Sequence, residues 1–476
     1  GQTARAEAVT DAEALLIEKL GNNGFPDAAI ATRKVIVDLD RNLMQVRLSV
    51  DPGRYRVFGP LTVAGLDRSD EDYVRRVLDW PEGEIFDKRQ LETLRRRAVA
   101  TGLFGRVEIT RDPAQDSAGD PGHDPAGGAE EPVRITLTEQ PPRTISLGAG
   151  FATDFGDRPF GFIGEASWAH RNLLGRGENL RLTANGQPDE QAGSVFFEKP
   201  NWLRNDKSVQ WFFTVRNEDR PAYRQFSVES TLGVERKLGR HWAGYAGGGF
   251  KYLLGDSRDA GSGRNDSVLY SIPARLTYDG RDDRLDPTDG ALGVLALTPT
   301  LVTVTDSAAY LQASLSGAAY RRLPLEPDIV LAARGKVASL AGTAAGNIPA
   351  GQRLYAGGGG SVRGYEIDSL GPLDSGKDSS GGEAIGGRSL IEFGLEARWR
   401  FREDYGLVPF VDAGQVYRQS YPDVSSGFIG GLQFASGLGF RYYSPIGPIR
   451  LDLAAPIGKR QRDRAFQFYI SIGQSF

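Results

Sequence analysis

The chain has 476 residues, with 57 Lys and Arg against 61 Asp and Glu and a formal net charge of −4, so it carries no basic footprint for nucleic acid. It has no cysteine, which removes disulfide frameworks, Cys-ligated zinc and thiol nucleophiles together. No window of 18 residues lacks Asp, Glu, Lys and Arg, which argues against a transmembrane helix but leaves open a membrane barrel, whose strands alternate apolar and polar residues.

To about Gln140 the chain mixes helices and strands. The stretch TDAEALLIEKLG reads as a helix with Thr10 as N-cap, Glu13 three residues on and Gly21 or Gly24 as its stop. RKVIVDLD and MQVRLSV then pair as a hairpin across Asp40 to Leu43. A strand follows in YRVFGPLTVAGL. Next come a helix in SDEDYVRRVLDW with Ser69 as N-cap, and a second helix from Asp87 that stops at Gly102. GRVEITRD and EPVRITLTEQ form a strand pair, which completes a β-α-α-β-β order. Residues 111–131 are rich in Pro, Gly, Ala and Asp and read as a mobile insert. The expected division is 1–52, an α-β-β remainder of one small domain, then 53–142, a complete one.

From 143 to 476 two-residue alternation takes over. In KSVQWFFTVRN, Val209, Trp211, Phe213 and Val215 oppose Ser208, Gln210, Thr214 and Arg216, with Phe212 as an exception. In FQFYISIGQSF, Phe466, Phe468, Ile470 and Ile472 oppose Gln467, Tyr469 and Ser471. Such strands exceed the ~5–6 residues usual in globular sheets. Their polar faces carry charge deep inside the strand, which suits an apolar exterior in lipid and a wet lumen. Tracing runs and turns predicts an antiparallel transmembrane β-barrel of about sixteen strands. Closure must join the first strand, with Ile145, Leu147, Gly148 and Phe151, to the last, with Phe468, Ile470, Ile472, Gly473 and Phe476. Gly473 and Gln474 disfavour a strand, so a weak seam is expected there.

Enzyme signatures are missing. The glycine run Gly357–Gly360 contains no G-x-G-x-x-G, and the chain has no phosphate-loop or nucleophile-elbow motif. His123, His170 and His241 lie far apart and show no metal spacing. No catalytic residue, cofactor or metal is expected.

The run continues into Ser361, Val362, Arg363, Gly364 and Tyr365. This V-R-G-Y segment, with VPFVDAGQVY and the closing SPIGPIRLDLAAPIG and SIGQSF, resembles the BamA/TamA superfamily of outer-membrane assembly proteins. PGRYRVFGPLTVAGL and the compact layout are closer to TamA. The β-α-α-β-β order matches the family's polypeptide-transport-associated (POTRA) domains, and ATGLFGRVEI resembles their helix-to-strand passage. The resemblance implies that the loop 343–385 folds into the lumen, where Arg363 meets Asp412 and Glu396. Alternation agrees that both acids face inward: Asp412 lies between Val411 and Ala413, and Glu396 between Leu395 and Ala397. The glycines would then be slack that lets the loop turn in.

The resemblance further implies an insertase in the outer membrane of a Gram-negative-type bacterium, with its POTRA domains in the periplasm. It would be a monomer that takes unfolded β-barrel or autotransporter clients, inserts them through the seam and works with a TamB-like inner-membrane-anchored partner. Residue 1 reads as a truncation point, since family members carry more POTRA domains. The alternatives are a BamA-like core insertase, a two-partner secretion transporter and, from another class, a passive pore or receptor.

Overall fold

The computed structural model describes residues 6–38, 40, 43–111, 129–152, 161–257, 264–303, 307–324, 326–373, 384–423, 431–444, 447–461 and 463–472. It divides into two compact units, Gly1–Arg143 with His170–Glu178, and Thr144–Ala169 with Asn179–Phe476. The interior of the insert, 112–128, lies outside the described residues.

In the first unit, helix α1 (Ala6–Gly21) precedes the hairpin β1 (Ala29–Asp38) and β2 (Leu43–Asp51), which pair from Ala29↔Asp51 to Asp38↔Leu43. The helix begins a turn before Thr10, so Thr10 is an interior residue and not its cap. The upstream Ala6, Glu7 and Ala8 are good helix formers and carry the helix past the capping-box signal. Then come β3 (Arg56–Ala64), α2 (Glu71–Leu78), α3 (Lys88–Ala100), β4 (Phe104–Arg111) and β5 (Ala129–Glu139). Asp70 caps α2, accepting from the Tyr73 N–H at 2.8 Å. The expected cap Ser69 instead donates its backbone N–H to Glu139 at 2.8 Å. Asp87 caps α3, and Gly102 follows its end at φ +66°.

The sheet order is β3-β5-β4, with β3 parallel and β4 antiparallel to β5. A parallel neighbour needs a crossover, and α2 and α3 supply it. Val74, Val77 and Leu78 of α2 and Leu94 and Ala98 of α3 are buried with Ile135 and Leu137 of β5. This β-α-α-β-β unit is the one expected from the sequence.

The second unit is a closed barrel. Its strands are β6 (Arg143–Ala152), β7 (Gly161–Arg171), β8 (Asn179–Gln187), β9 (Glu190–Lys199), β10 (Lys207–Asp219), β11 (Tyr223–Lys237), β12 (Trp242–Ser257), β13 (Arg264–Ser271) and β14 (Ala274–Asp279). They continue as β15 (Gly290–Thr303), β16 (Ala308–Leu323), β17 (Ile329–Ala341), β18 (Ser389–Arg402), β19 (Tyr405–Tyr417), β20 (Gln433–Ser444), β21 (Gly447–Ile457) and β22 (Gln467–Ile472). Neighbours in this order are hydrogen-bonded, save that β13 and β14 lie end to end, and β22 closes on β6. β12 and β15 each pair with both β13 and β14. Those two are therefore one stave interrupted at Ile272–Pro273, and the described strands make sixteen staves.

Alternation runs as the sequence predicts. Phe466 and Phe468 are exposed outward while Gln467 and Tyr469 are buried inward. On β17, Leu331 and Val337 face out and Ala332, Ala338 and Leu340 are buried. Phe212 is the exception because it shares the inward register with Gln210, and it stacks on its cross-strand partner Phe196 at 4.8 Å. Trp242, Trp399 and Tyr442 are exposed near strand ends, where an aromatic girdle sits in a lipid-facing barrel. No described helix is long and apolar enough to cross a membrane.

Candidate functional site

The chain between β17 and β18 enters the barrel. It makes two short 3-10 turns at Ala345–Asn347 and Ala350–Gln352. Ile348 then plugs an inward apolar cluster of Leu253, Leu269, Val302, Tyr310 and Leu340. Isolated bridges Leu354↔Gly387 and Ala356↔Leu370 narrow the loop around its tip.

Gly357 and Gly364 at the tip are not slack. Gly357 sits at φ +114°, and a Cβ there would lie 2.3 Å from the Glu366 carbonyl oxygen. Gly364 sits at φ +94°, and a Cβ there would lie 2.8 Å from the Ala435 Cβ on the wall. Only glycine meets both demands, a left-handed backbone and a close approach. Composition alone cannot tell that use from flexibility.

These turns drive Arg363 into the wall, where its side chain is fully buried. Its Nε donates to Asp412 Oδ2 at 2.7 Å and its Nη2 to Asp412 Oδ1 at 3.0 Å. Its Nη1 donates to Glu396 Oε1 at 2.9 Å and to Asp452 Oδ2 at 3.1 Å. The backbone N–H of Arg363 also donates to Asp412, at 3.1 Å. The guanidinium lies 3.4 Å above the Phe410 ring centroid, within cation–π range. One planar fork thus joins acids on β18, β19 and β21, which a lysine point charge cannot reproduce. Burial presses the guanidinium toward neutrality. Its hydrogen bonds to Asp412 and the charges of Asp412, Glu396 and Asp452 prevail, holding its pKa above the ordinary value.

The acids have further partners. Arg398 Nε binds Glu396 at 3.0 Å, Arg441 Nη1 binds Asp452 at 2.5 Å and Arg334 approaches Asp412 at 3.6 Å. Asp452 went unselected in the sequence although Leu451 and Leu453 flank it. That is the same alternation signal that marked Asp412 and Glu396. Around the ion cluster, Val362 and Tyr365 are buried with Leu370, Leu390, Val416 and Ala435. The Tyr365 hydroxyl donates to the Phe434 carbonyl at 2.9 Å.

The loop also holds the last strand. Tyr469 of β22 accepts from the Gly364 N–H at 3.1 Å and donates to the Tyr365 carbonyl at 3.2 Å. Glu366 pairs with Arg464 at 2.6 Å, just before β22. Tyr469→Phe keeps the ring and removes both bonds, at a cost of about 1–3 kcal/mol for the buried groups left unpaired. Hydrogen exchange should then quicken in 467–472 and stay unchanged in β18 and β19. Unchanged exchange in 467–472 would show that the loop does not hold the strand.

The seam residues divide. Ile145 and Leu147 of β6 are 72% and 81% exposed, and Phe468 of β22 is 39% exposed. Ile470 is half-buried, and Gly148 is exposed, with room for a Cβ 3.7 Å from that of Glu165. The side chains of Phe151 and Ile472, and Gly473 and Phe476 altogether, lie outside the described residues. Every described side chain of β6 is exposed, on both faces. Strands β18 and β19, by contrast, bury their inner faces against the loop. Among the described residues the β21–β22 ladder registers from Ile449↔Ile472 to Ala454↔Gln467.

A sixteen-stave barrel that is apolar outside and carries charged groups inside, with an arginine-tipped loop locked to its inner wall, is a transmembrane barrel of the outer-envelope type. The sequence signature of the Omp85 superfamily domain matches residues 172–476, and the chain belongs to that superfamily. It is similar to the outer membrane protein assembly factor BamA of Neisseria meningitidis serogroup B, with 23% identity over 96% of this chain and 61% of that one. It is similar also to BamA of Nitratidesulfovibrio vulgaris, with 24% identity over 87% of this chain and 50% of that one. The chain thus spans about half to three-fifths of the length of these curated relatives. In fold it matches the crystal structure of BamA from Haemophilus ducreyi lacking POTRA domains 1–3, with TM-score 0.81 and 20% identity over 99% of this chain and 94% of that one. CdiB from Acinetobacter baumannii matches at TM-score 0.56 and 13% identity, over 100% of this chain and 83% of that one.

Proposed function

We propose that this chain is an outer-membrane protein assembly factor that receives unfolded β-barrel clients and inserts them through the seam between β6 and β22. The observation that carries this reading is the asymmetry of the wall. The loop clamps β18, β19, β21 and β22 from inside, while every described side chain of β6 is exposed. Separating β22 from β6 is the least costly way to open such a wall. A client's C-terminal strand can then pair with β6, satisfying backbone groups that would cost several kcal/mol each if bare in hydrocarbon. The β3-β5-β4 sheet of the N-terminal unit offers the edge of β4 for the same backbone pairing beforehand.

The finer reading is a TamA-like monomer in the outer membrane of a Gram-negative-type bacterium, with POTRA domains in the periplasm. Autotransporters would be among its clients, and a TamB-like protein would be its inner-membrane-anchored partner. BamA-like core assembly is the alternative within the same mechanism, and polypeptide export through the lumen is the alternative outside it.

Lipid vesicles that carry the chain should fold a urea-denatured client barrel about tenfold faster than empty vesicles, a barrier change of about 1.4 kcal/mol. Folding is read as heat-resistant gel mobility and protease protection. Equal rates would overturn the proposal. Protected client in the vesicle interior and none in the bilayer would favour export.

A further inference from the structure

The barrel is interrupted once more, at a place the proposed gate does not use. Seven staves, β6 to β12, lie on one side of the β13/β14 stave and eight, β15 to β22, on the other. The interruption at Ile272–Pro273 is therefore across the barrel from the seam.

Register does not slip there. Gly249↔Ser271 and Ala246↔Ala274 continue one alignment with β12, and Ser271↔Thr300 and Ala274↔Leu297 continue one with β15. What lapses is hydrogen bonding. Bonded partners in an antiparallel ladder exchange two bonds. The Gly247 N–H donates to the Pro273 carbonyl at 3.0 Å, and the Ile272 N–H donates to the Pro299 carbonyl at 3.0 Å. Neither bond can be returned, because the answering nitrogen in each case belongs to a proline. The facing stretch of β12 is Gly247-Gly248-Gly249, and Gly247 pairs with Gly233 of β11. A Cβ at Gly248 would meet nothing within 4 Å. The patch thus also lacks the cross-strand side-chain pairs that stiffen a sheet.

The two halves differ in bracing. Arg363 and Gly364 bind Glu396, Asp412, Asp452 and Tyr469, which ties four staves of the second half together. Toward the first half the loop presents Ile348 to Leu253 of β12, Tyr355 to Tyr223 with rings 5.8 Å apart, and Asp368 to the charge of Arg220, contacts without the fork that Arg363 makes on the other side.

We infer that the Gly247–Gly249, Pro273 and Pro299 patch is a hinge for lateral opening. The β6–β12 half swings as a leaf about it, while β15–β22 stays with the lumen loop. A few backbone positions that absorb a dihedral change are what a hinge requires. The inference rests on the lateral-gate reading above.

Its test is seam separation in lipid nanodiscs, measured by spin-label distances between Phe162→Cys on β7 and Leu453→Cys on β21, with and without a client C-terminal peptide. Pro273→Thr with Pro299→Val restores both donors. Gly248→Val independently adds a β-branched side chain in open space. Each change should cut the separated population about tenfold and slow client insertion in step. A separated population that persists unchanged in both variants overturns the hinge and leaves the gate standing. If the unaltered barrel never separates with peptide present, the gate reading falls and takes the hinge with it.

Discussion

Arg363→Ala should lose most client insertion and lower the barrel's stability by about 3–5 kcal/mol, the cost of removing one partner from a buried ion cluster. The magnitude follows from what remains. Asp412 loses both side-chain hydrogen bonds from Arg363 and keeps the backbone N–H of residue 363 at 3.1 Å and Arg334 at 3.6 Å. Glu396 retains Arg398, and Asp452 retains Arg441 and Arg450, but the group that neutralised all three acids together is gone. The readout is the temperature at which the folded barrel loses its fast gel mobility. Arg363→Lys keeps the charge without the fork or the stacking on Phe410, and should recover only part of the loss. Adding Asp412→Asn to Arg363→Ala removes the stranded carboxylate and should regain stability without regaining insertion. Full stability and activity in both single variants would reduce the loop to a passive plug.

The sequence made much of this site legible, because a strand in lipid has little freedom. An acid between two apolar residues, as at Asp412 and Glu396, must point away from the membrane. The strand count and the inward or outward sense of β10 and β22 followed from the same two-residue period. Asp452 carried an equal signal, but its meeting with Arg363 depends on how far the loop reaches past β20 to β21, which no local pattern encodes. The glycine run misled for a related reason: conformational freedom and a fixed positive φ have the same composition. Ser69 and Asp70 are adjacent cap formers, and which one caps α2 was settled by Glu139, seventy residues downstream in the chain. Pro273 interrupts hydrogen bonding, yet register through the barrel keeps its stave aligned.

The largest effect on activity is expected at the seam. For a client to pass into lipid, β22 must leave β6, and a covalent bridge between them forbids this whatever else the barrel does. The chain has no cysteine, so a pair introduced at 144–149 of β6 and 467–470 of β22 forms the bridge against a clean background. Pairs must be chosen by scanning for those that oxidise, since a disulfide tolerates only ~4.4–6.8 Å between Cα atoms. The bridge leaves Arg363, its acids and the N-terminal unit untouched, so a loss of activity reports the gate alone. Insertion of a denatured client into vesicles, with the bridge oxidised and then reduced in the same sample, is the direct measurement. The account predicts at least an approximately tenfold loss on oxidation and full recovery on reduction; undiminished insertion with the bridge closed would contradict it.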